Sequence, residues 1–357
     1  MRRGFIIRRE VILEADVKKY GVVLIGAGHI GTEHVLEIYY REDIRVVAVV
    51  DCDIERAKEL ALRAGCSEYG TDYREYITRE DVDIVIIATY TASHLAILRD
   101  CLACGKHVLC EKPIATSIEE GREFVELVKR ADTKVLIAHI LRHNSSYNMI
   151  RRLIGEGKIG KPTLIRMTQN HHALGWDRYK RLMEDCSPAV DCGVHYFDIA
   201  EWLTGERIEE VYGFGTKTQP DTPRDNFVLV GFKMSGGCAG FYEVGWGETV
   251  RSKNVKEIVG TEGRITLEMR DRRSEDTEEG DRITVYTKED GKYETINLPS
   301  QYKNMYAQLK ELIRMIEDGS DGNPTIDDVW RAFSIASAAV ESIDRRAPIL
   351  IDEFMKR

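Results

Sequence analysis

Hydrophobic and polar positions follow a regular pattern from Gly21 to about Arg142. Short apolar runs, GVVLIG, IRVVAVVD, VDIVIIAT and KHVLCEK, are separated by amphipathic stretches such as IERAKELALRAG and SIEEGREFVELVKRA. The runs are rich in branched residues and lack alternation, which is typical of strands that are covered on both faces. Apolar strands that alternate with helices predict an α/β fold built on a doubly wound parallel sheet.

The pattern changes after residue 142. Runs of alternating polarity now follow one another, NFVLVGFKM, GCAGFYEVGWGE, KEIVGTEGRITLEM and RITVYTKEDGKYETINL. Joined by short turns that contain glycine, they predict a large open sheet that is mainly antiparallel. We therefore expect two domains, 1–142 and 143–357, and the pattern assigns no role to residues 1–19. The charge-dense segment MRDRRSEDTEEGDR predicts a solvated turn.

Composition narrows the class of protein. The chain has 357 residues, a formal net charge of -9 and eight cysteines, which lie beside apolar runs as reduced thiols do. The acidic balance argues against nucleic-acid binding, and no apolar run approaches the roughly 18 residues of a membrane helix. Charges interrupt the start MRRGFIIRRE where an export signal needs an apolar region. We expect a cytoplasmic protein without nucleic-acid or membrane partners.

A glycine-rich turn follows the first apolar run. GAGHIG matches the pattern GxGxxG, and Asp51 ends the next strand about 20 residues later, as in a dinucleotide-binding fingerprint. Gly26 permits the tight turn, Gly28 admits a pyrophosphate, and Gly31 lets helix and strand touch. The helix start offers N–H groups to phosphates. The Asp51 carboxylate can accept hydrogen bonds from the ribose hydroxyls and repels a 2′-phosphate, so the pattern favours NAD over NADP. Arg56 lies nearby and leaves NADP open as an alternative.

Asp191 and His195 lie four residues apart in AVDCGVHYFDIAEWL, whose apolar positions predict one helix against a core. Helical spacing places both side chains on one face. Two polar groups on a covered helix are costly unless they pair with each other or with a ligand. A satisfied core histidine is the simpler interpretation, so other motifs must decide.

The strand KHVLCEK brings Glu111, Lys112 and Pro113 to the carboxyl edge of the predicted sheet, where open α/β sheets bind ligands. With GAGHIG, Asp51, CEKPIA and DCGVH in this order, the chain after Tyr20 resembles the Gfo/Idh/MocA oxidoreductase family. The resemblance extends to GEGKIGKPTLIR and GTEGRITL. It implies an N-terminal Rossmann domain, a C-terminal α/β domain whose open sheet forms the oligomer interface, and action on a secondary hydroxyl of a sugar, cyclitol or related polyol.

The expected site residues come from the dinucleotide fingerprint, from the resemblance and, for Asn170 and Trp176, from the polar and aromatic segment between Thr168 and Pro188. The catalytic group is Lys112, Asp191 and His195. The residues expected to contact the cofactor are Gly26, Gly28, His29, Ile30, Gly31, Asp51, Thr89, His94, Glu111 and Lys112. The residues expected to contact substrate are Arg142, Asn144, Asn170, Trp176, Asp191 and His195. Trp176 is expected to stack on a sugar face, Glu111 to meet the nicotinamide ribose, and the Lys112–Pro113 peptide to be cis.

Three positions depart from the family pattern. Tyr90 stands where the family usually has proline, which leaves the cofactor contact of His94 open. In LRHNSSY, His143 takes the place of an aromatic residue and Ser145 that of a proline. Substrate contacts in this segment are therefore expected to be unusual.

The implied reaction moves a hydride between the carbinol carbon and nicotinamide, and a proton between the hydroxyl and the protein. A neutral His195 can accept that proton, and the Lys112 ammonium can stabilise the developing alkoxide. Asp191 is expected to orient His195 or to bind a neighbouring hydroxyl. The pattern leaves open which of Lys112 and His195 is the formal base. It also leaves two other functions open, a glycosidase that uses bound NAD+ for transient oxidation and a non-catalytic NAD(P)-binding regulator.

We expect no metal. Cys101 and Cys104 form a CxxC inside a helical run, where they are interpreted as packing residues. His171 and His172 are neighbours on a strand and would point to opposite faces. The expected partners are a polyol or sugar and a second copy of the chain, as a homodimer or homotetramer.

Overall fold

The computed structural model describes residues 19–269, 280–299 and 303–357. The first part of the chain contains β1 Tyr20–Ile25, α1 His29–Ile38, β2 Ile44–Val50, α2 Ile54–Arg63, β3 Tyr69–Gly70, α3 Arg74–Ile77, β4 Ile84–Ile87, α4 His94–Ala103, β5 His107–Cys110, α5 Ile118–Arg130 and β6 Val135–Ile137. Short 3-10 turns occur at Thr91–Ser93 and Ile140–His143.

The second part contains α6 Ser145–Gly155, β7 Pro162–His172, α7 Trp176–Asp185, α8 Pro188–Asp191, α9 Gly193–Thr204, β8 Ile208–Thr216, β9 Phe227–Met234, β10 Ala239–Gly247, β11 Lys253–Gly260, β12 Gly263–Glu268, β13 Asp281–Thr287, β14 Lys292–Leu298, α10 Met305–Asp318, α11 Ile326–Arg345, β15 Ile349–Leu350 and α12 Ile351–Lys356.

The strands β1 to β6 form one sheet in the order β3-β2-β1-β4-β5-β6, and every neighbouring pair is parallel. Alternate side chains of β1 enter two different cores. Val22 and Leu24 pack with α1, α2 and α10, whereas Val23 and Ile25 belong to the core that includes α4 and α5. Coverage on both faces explains the continuous apolar runs, and the predicted doubly wound parallel sheet is confirmed.

The second sheet has nine strands in the order β14-β13-β12-β11-β7-β10-β9-β8-β15. Its pairs are antiparallel except β7 with β10, so the predicted mainly antiparallel sheet is confirmed. Helices α8, α9 and α11 lie on one face. On β9 buried and accessible residues alternate, which places Leu229 and Lys233 on the other face.

The helix α10 returns from the second sheet to the first. Its residues Leu309, Leu312 and Ile313 are buried in the core that contains Val22 and Leu24 of β1. Because α10 comes from the second part of the chain but packs on the first sheet, a division of the chain at residue 142 does not separate the two cores completely. The division stays a prediction. Residues 1–18 and 270–279, which hold most of the predicted extension and of the solvated turn, lie outside the described residues. Among the described helices, none has the length and apolarity to cross a lipid bilayer.

Candidate active site

The glycine loop between β1 and α1 is shaped by close backbone contacts. Gly26 has φ of +102°, which other residues rarely adopt, and a Cβ on Gly31 would lie 1.8 Å from the carbonyl oxygen of Gly26. A Cβ on Gly28 would meet nothing within 4 Å. His29 and Ile30 then open α1, where backbone N–H groups point out of the helix. The empty space at Gly28 and the helix start together fit a pyrophosphate.

Asp51 follows β2 and faces this loop. One carboxylate oxygen accepts the Ala27 N–H at 2.7 Å, and the other accepts the Asp53 N–H at 2.9 Å. The side chain of Asp53 caps α2 and lies 3.3 Å from the guanidinium of exposed Arg56. The Asp51 carboxylate is therefore fixed at the carboxyl edge of the sheet, beside the glycine loop, with lone pairs left for ribose hydroxyls.

His94 ties the end of β4 to the segment after β5. Its side chain is fully buried, with Nδ1 2.9 Å from the Pro113 carbonyl oxygen and Nε2 3.2 Å from that of Thr89. Burial lowers the pKa of His94, and a neutral imidazole donates to one of these two carbonyls. The Thr89 hydroxyl accepts a hydrogen bond from Ser93. The Lys112–Pro113 peptide is cis, as the resemblance implied.

Glu111 is held by a histidine of α1. Nε2 of His34, a fully buried residue of α1, lies 2.8 Å from Oε1 of Glu111. Burial raises the pKa of Glu111, but the hydrogen bond from His34 and the charges of Lys112 and Lys303 lower it below its ordinary value. The ionised carboxylate thus lies between α1 and Lys112, at the edge where β5 ends.

Lys112 crosses from the parallel sheet to the second part of the chain. Its Nζ donates to Oδ1 of Asp191 at 3.0 Å and to the Asp191 carbonyl oxygen at 2.8 Å. Both side chains are about four-fifths buried, with 18% and 19% exposed. Burial by itself lowers the pKa of Lys112, but the Asp191 charge outweighs it and the pKa lies above its ordinary value. Lys112 is therefore an ammonium throughout the neutral range.

The same contact corrects the prediction of one helix through Asp191 and His195. The helix α8 ends at Asp191, Cys192 lies between, and α9 begins at Gly193. The His195 N–H bonds the carbonyl of Cys192 at 3.1 Å, not that of Asp191 four residues earlier. Because Lys112 takes the Asp191 carbonyl, the helix is broken at this position. The break turns a backbone oxygen toward the lysine from the other domain.

His195 is the neutral group of the site. The ring is partly buried, and among the described residues its Nδ1 has no hydrogen-bond partner. Burial is the largest cause that lowers the pKa of His195 well below 6.5, and the positive charges of Lys112, His139 and Lys303 lower it further. The site thus contains an ammonium at Lys112 and an unprotonated imidazole at His195, and the charge of the first lowers the pKa of the second.

Two residues that were predicted to contact substrate are engaged elsewhere. Arg142 is buried, and its guanidinium binds both oxygens of Asp198 at 2.8 and 2.6 Å. A further nitrogen of Arg142 bonds Asn323 at 2.8 Å. Asn144 is 1% exposed and caps α6 through its side-chain oxygen. These contacts give no support to direct binding of substrate by either side chain, and that role stays a prediction.

The two other predicted substrate residues differ from each other. Trp176 is buried at the start of α7, and its indole N–H points at Asp221 at 3.4 Å. Asn170 on β7 donates to Glu243 at 2.6 Å, whereas its side-chain oxygen has no partner within the described part of the chain. Asn170 thus keeps an unsatisfied buried acceptor, whereas the indole of Trp176 is engaged, and contact of either residue with substrate stays a prediction.

Sequence reasoning missed three buried groups, His34, His139 and Asp198. His139 is 2% exposed, and its Nδ1 lies 3.3 Å from Asp198, which also holds Arg142. For two of these residues, His139 and Asp198, the sequence contains a signal that could have found them. His139 follows β6 at the carboxyl edge that binds ligands in such sheets, and Asp198 comes three residues after His195 on one face of a helix. The contact of His34 with Glu111 has no local signal.

Metal ligands were also sought in the described ranges. No group of three or more His, Cys, Asp or Glu residues there is arranged to hold a metal ion. All eight cysteines are free thiols, and Cys101 is buried while Cys104 is partly covered. The interpretation of the CxxC as packing residues agrees with this burial.

Two family models match the chain over the two regions that carry the site. The model described as an oxidoreductase family with an NAD-binding Rossmann fold matches residues 20–139. The model described as the GFO/IDH/MocA C-terminal domain matches residues 147–266. The chain belongs to the Gfo/Idh/MocA oxidoreductase family. The resemblance inferred from the motifs is confirmed at this level.

Similar proteins span nearly the whole chain. The myo-inositol 2-dehydrogenase of Thermotoga maritima is 25% identical over 341 residues, which cover 92% of this chain and 98% of that protein. The inositol 2-dehydrogenase of Rhizobium meliloti is 27% identical over 336 residues, with 92% and 98% covered. A solved structure of levoglucosan dehydrogenase with NADH and L-sorbose has a TM-score of 0.80 at 22% identity, with 94% and 99% covered. At that identity the likeness shows the fold alone.

Proposed function

We propose that this protein transfers a hydride between a nicotinamide cofactor and a secondary hydroxyl or ketone of a sugar, cyclitol or related polyol. The observation that carries the proposal is the 3.0 Å ion pair between Lys112, at the end of a cofactor-domain strand, and Asp191, four residues before His195. It joins the two halves of the site at one place. Relatives named inositol 2-dehydrogenase support the substrate class.

In this proposal each group has a separate task. The glycine loop and the start of α1 bind the pyrophosphate, and Asp51 binds the adenosine ribose. The nicotinamide, when bound, accepts the hydride from the carbinol carbon. Lys112 donates a hydrogen bond to the carbinol oxygen and stabilises the charge that develops there. His195 removes the hydroxyl proton, and Asp191 holds Lys112 and can accept a hydrogen bond from a neighbouring hydroxyl.

The charges of the two groups support oxidation of an alcohol at neutral pH. The pKa of His195 lies well below 6.5, so its ring is ready to accept a proton, whereas the raised pKa of Lys112 keeps that group protonated. A base that is already charged could not accept the proton. Of the two alternatives, we therefore assign the base to His195 and the electrostatic role to Lys112.

We further propose NAD rather than NADP as the cofactor. The Asp51 carboxylate is fixed beside the glycine loop by two N–H groups, where a 2′-phosphate would meet its negative charge. The nearest candidate to offset that charge, Arg56, lies 3.3 Å from Asp53. The expected result is a kcat/KM for NAD+ at least about tenfold above that for NADP+, which corresponds to roughly 1.4 kcal/mol.

We also propose self-association through the outer face of the second sheet. Phe214 and Leu229 on that face are 55% and 36% exposed. Neighbouring large apolar side chains that are exposed on one face of a sheet indicate a surface that another protein covers. A homodimer or homotetramer would cover them. The mass measured by light scattering tests this, and a monomer would refute it. Eight free thiols support a reducing, cytoplasmic compartment.

The activity test uses the full chain with NAD+ or NADP+ and a panel of cyclitols, aldoses, polyols, nucleotide sugars and nitrophenyl glycosides. NADH formation is followed at 340 nm, together with release of nitrophenol. We expect NADH formation with a cyclitol or sugar. Lys112→Ala and His195→Ala should each lower kcat by about 10³-fold, with the Kd for NAD+ nearly unchanged. The exposed Lys310 provides a control, and Lys310→Ala should retain full activity.

Other outcomes would overturn the proposal in distinct ways. Release of nitrophenol without net NADH would indicate the glycosidase. Tight binding of NAD+ without turnover of any compound in the panel would indicate the regulator. Full activity of Lys112→Ala or His195→Ala would show that the roles are wrongly assigned, even if the enzyme is a dehydrogenase.

A further inference from the structure

A second imidazole lies beside His195. The ring centroid of His139 is 5.7 Å from that of His195, and the two planes meet at 72°, so the rings pack edge to face. His139 comes directly after β6 and is 2% exposed. No step of the proposed mechanism uses this residue, yet a buried imidazole next to a catalytic one affects how that ring can turn.

His139 lies at ion-pair distance from Asp198. Its Nδ1 lies 3.3 Å from Oδ2 of Asp198, which follows His195 by three residues on α9 and so projects from the same side of that helix. Arg142 holds both oxygens of Asp198, and another of its nitrogens lies 3.2 Å from Asp328 at the start of α11. The ring of His139 thus lies against a buried ion-pair cluster and is enclosed on that side.

Among the described residues, His195 has no carboxylate at ion-pair distance of the kind that His139 has in Asp198. A metal-bound or catalytic imidazole is commonly oriented by a hydrogen bond from its second nitrogen to a carboxylate or carbonyl. Within the described residues, Nδ1 of His195 makes no such bond. The nearest carboxylate on the preceding turn, Asp191, is taken by Lys112. Contact with the edge of His139 is therefore the interaction that can set the orientation of the His195 ring.

The charges around the two rings are consistent with this arrangement. The groups that face them are Asp198 on α9, Asp328 on α11, Lys112 after β5, Arg142 and His143 after β6, and Lys303 before α10. The positive charges of Lys112 and Lys303 oppose protonation of His195 and keep that ring a base.

We propose that His139 is a positioning residue of the active site, which is held by Asp198 and packs against His195 so that this imidazole faces the substrate hydroxyl. The proposal rests on the proposed role of His195 as the base. It assigns to His139 no contact with substrate or cofactor.

Two substitutions at one position separate its effects. His139→Ala removes the ring, so His195 loses its support, and kcat should fall by about 10- to 100-fold while the Kd for NAD+ stays unchanged. His139→Phe keeps the aromatic edge but removes the charge. It should retain kcat within about threefold of the wild type, and the acidic limb of its kcat/KM against pH profile should move upward by about 0.5 pH unit. Thermal midpoints of all variants establish how much enzyme is folded.

The outcomes distinguish this proposal from the proposed function. Wild-type kcat and pH profile in folded His139→Ala would overturn the positioning role. That role is also overturned if His139→Phe loses as much kcat as the alanine variant without moving the acidic limb, because a structural defect alone would explain such a loss. If His195→Ala itself kept activity, the proposed role of His195 as the base would fail first, whatever the His139 variants do.

Discussion

The cofactor half and the substrate half of the site are held together by different kinds of group. Around the glycine loop the shape comes from the backbone, with Gly31 in contact with the carbonyl of Gly26, and Asp51 fixed by two N–H groups. Around α9 the shape comes from buried ion pairs, such as that of Arg142 with Asp198. Hence substitutions that add atoms should disturb the cofactor half most, and substitutions that remove a charge should disturb the substrate half most.

The largest effect on stability is expected in the substrate half, from Arg142→Ala. This change leaves Asp198 buried without its main partner, and breaking a buried pair costs about 3–5 kcal/mol of the free energy of unfolding. Chemical denaturation measures the loss. The control is Lys158→Ala at an exposed position just after α6, which should change stability by less than about 0.5 kcal/mol. Unchanged stability together with a raised KM for the polyol would instead show that Arg142 contacts substrate.

The cofactor half is tested by Gly28→Ala. The added Cβ would meet nothing within 4 Å, so the free energy of unfolding should change by only a few tenths of a kcal/mol. The methyl group would occupy the space for the pyrophosphate and raise the Kd for NAD+ by about 100-fold, or roughly 2.7 kcal/mol. Calorimetric titration measures the Kd. Gly155→Ala, where the Cβ also meets open space, is the matched control. An unchanged Kd for Gly28→Ala would place the pyrophosphate elsewhere.

A smaller effect on stability is expected from Lys256, a buried lysine of the substrate half. The hydrogen-bond partners of its Nζ are uncharged oxygens. Its Nζ contacts the Tyr196 hydroxyl at 3.1 Å, the Thr168 carbonyl at 3.4 Å, and the side chain of Asn254. Burial lowers the pKa of Lys256 from 10.5 to about 7. Between pH 7 and 10.5 the unfolded chain therefore binds more protons than the folded chain. Below pH 7 the buried charge of Lys256 lowers the free energy of unfolding by its full amount. This loss disappears as the pH rises from 7 to 10.5.

Lys256→Met should accordingly raise the free energy of unfolding at pH 7 by about 1–2 kcal/mol and flatten its rise toward pH 10. Denaturation at several pH values measures both effects. Lys253→Met, at an exposed position of the same strand, should leave the curve unchanged. A loss of stability in Lys256→Met would mean that its three hydrogen bonds outweigh the burial of its charge.

Local motifs explain why the cofactor half could be predicted from the sequence. Gly26, Gly28, Gly31 and Asp51 lie within one strand–helix–strand unit, and each has a role set by neighbouring backbone. The doubly wound sheet could be predicted for the same reason, since apolar runs and helices alternate in order.

The substrate half depended on partners that are remote in sequence. Arg142 and Asp328 are separated by 186 positions, and no local pattern assigns the arginine to that carboxylate rather than to substrate. The helix break at Cys192 arises because Lys112 takes a carbonyl from another part of the chain. The motifs therefore named Lys112, Asp191 and His195, but the groups that hold them needed the fold.

The central claim is that Lys112 and His195 meet at one carbinol oxygen. A crystal structure of the protein with NADH and the polyol that it oxidises fastest tests this most directly. We predict that Nζ of Lys112 and one ring nitrogen of His195 each lie within about 3.2 Å of the same hydroxyl oxygen. An ordered substrate whose reacting hydroxyl contacts neither group, or contacts Lys112 while His195 faces away, would contradict the account.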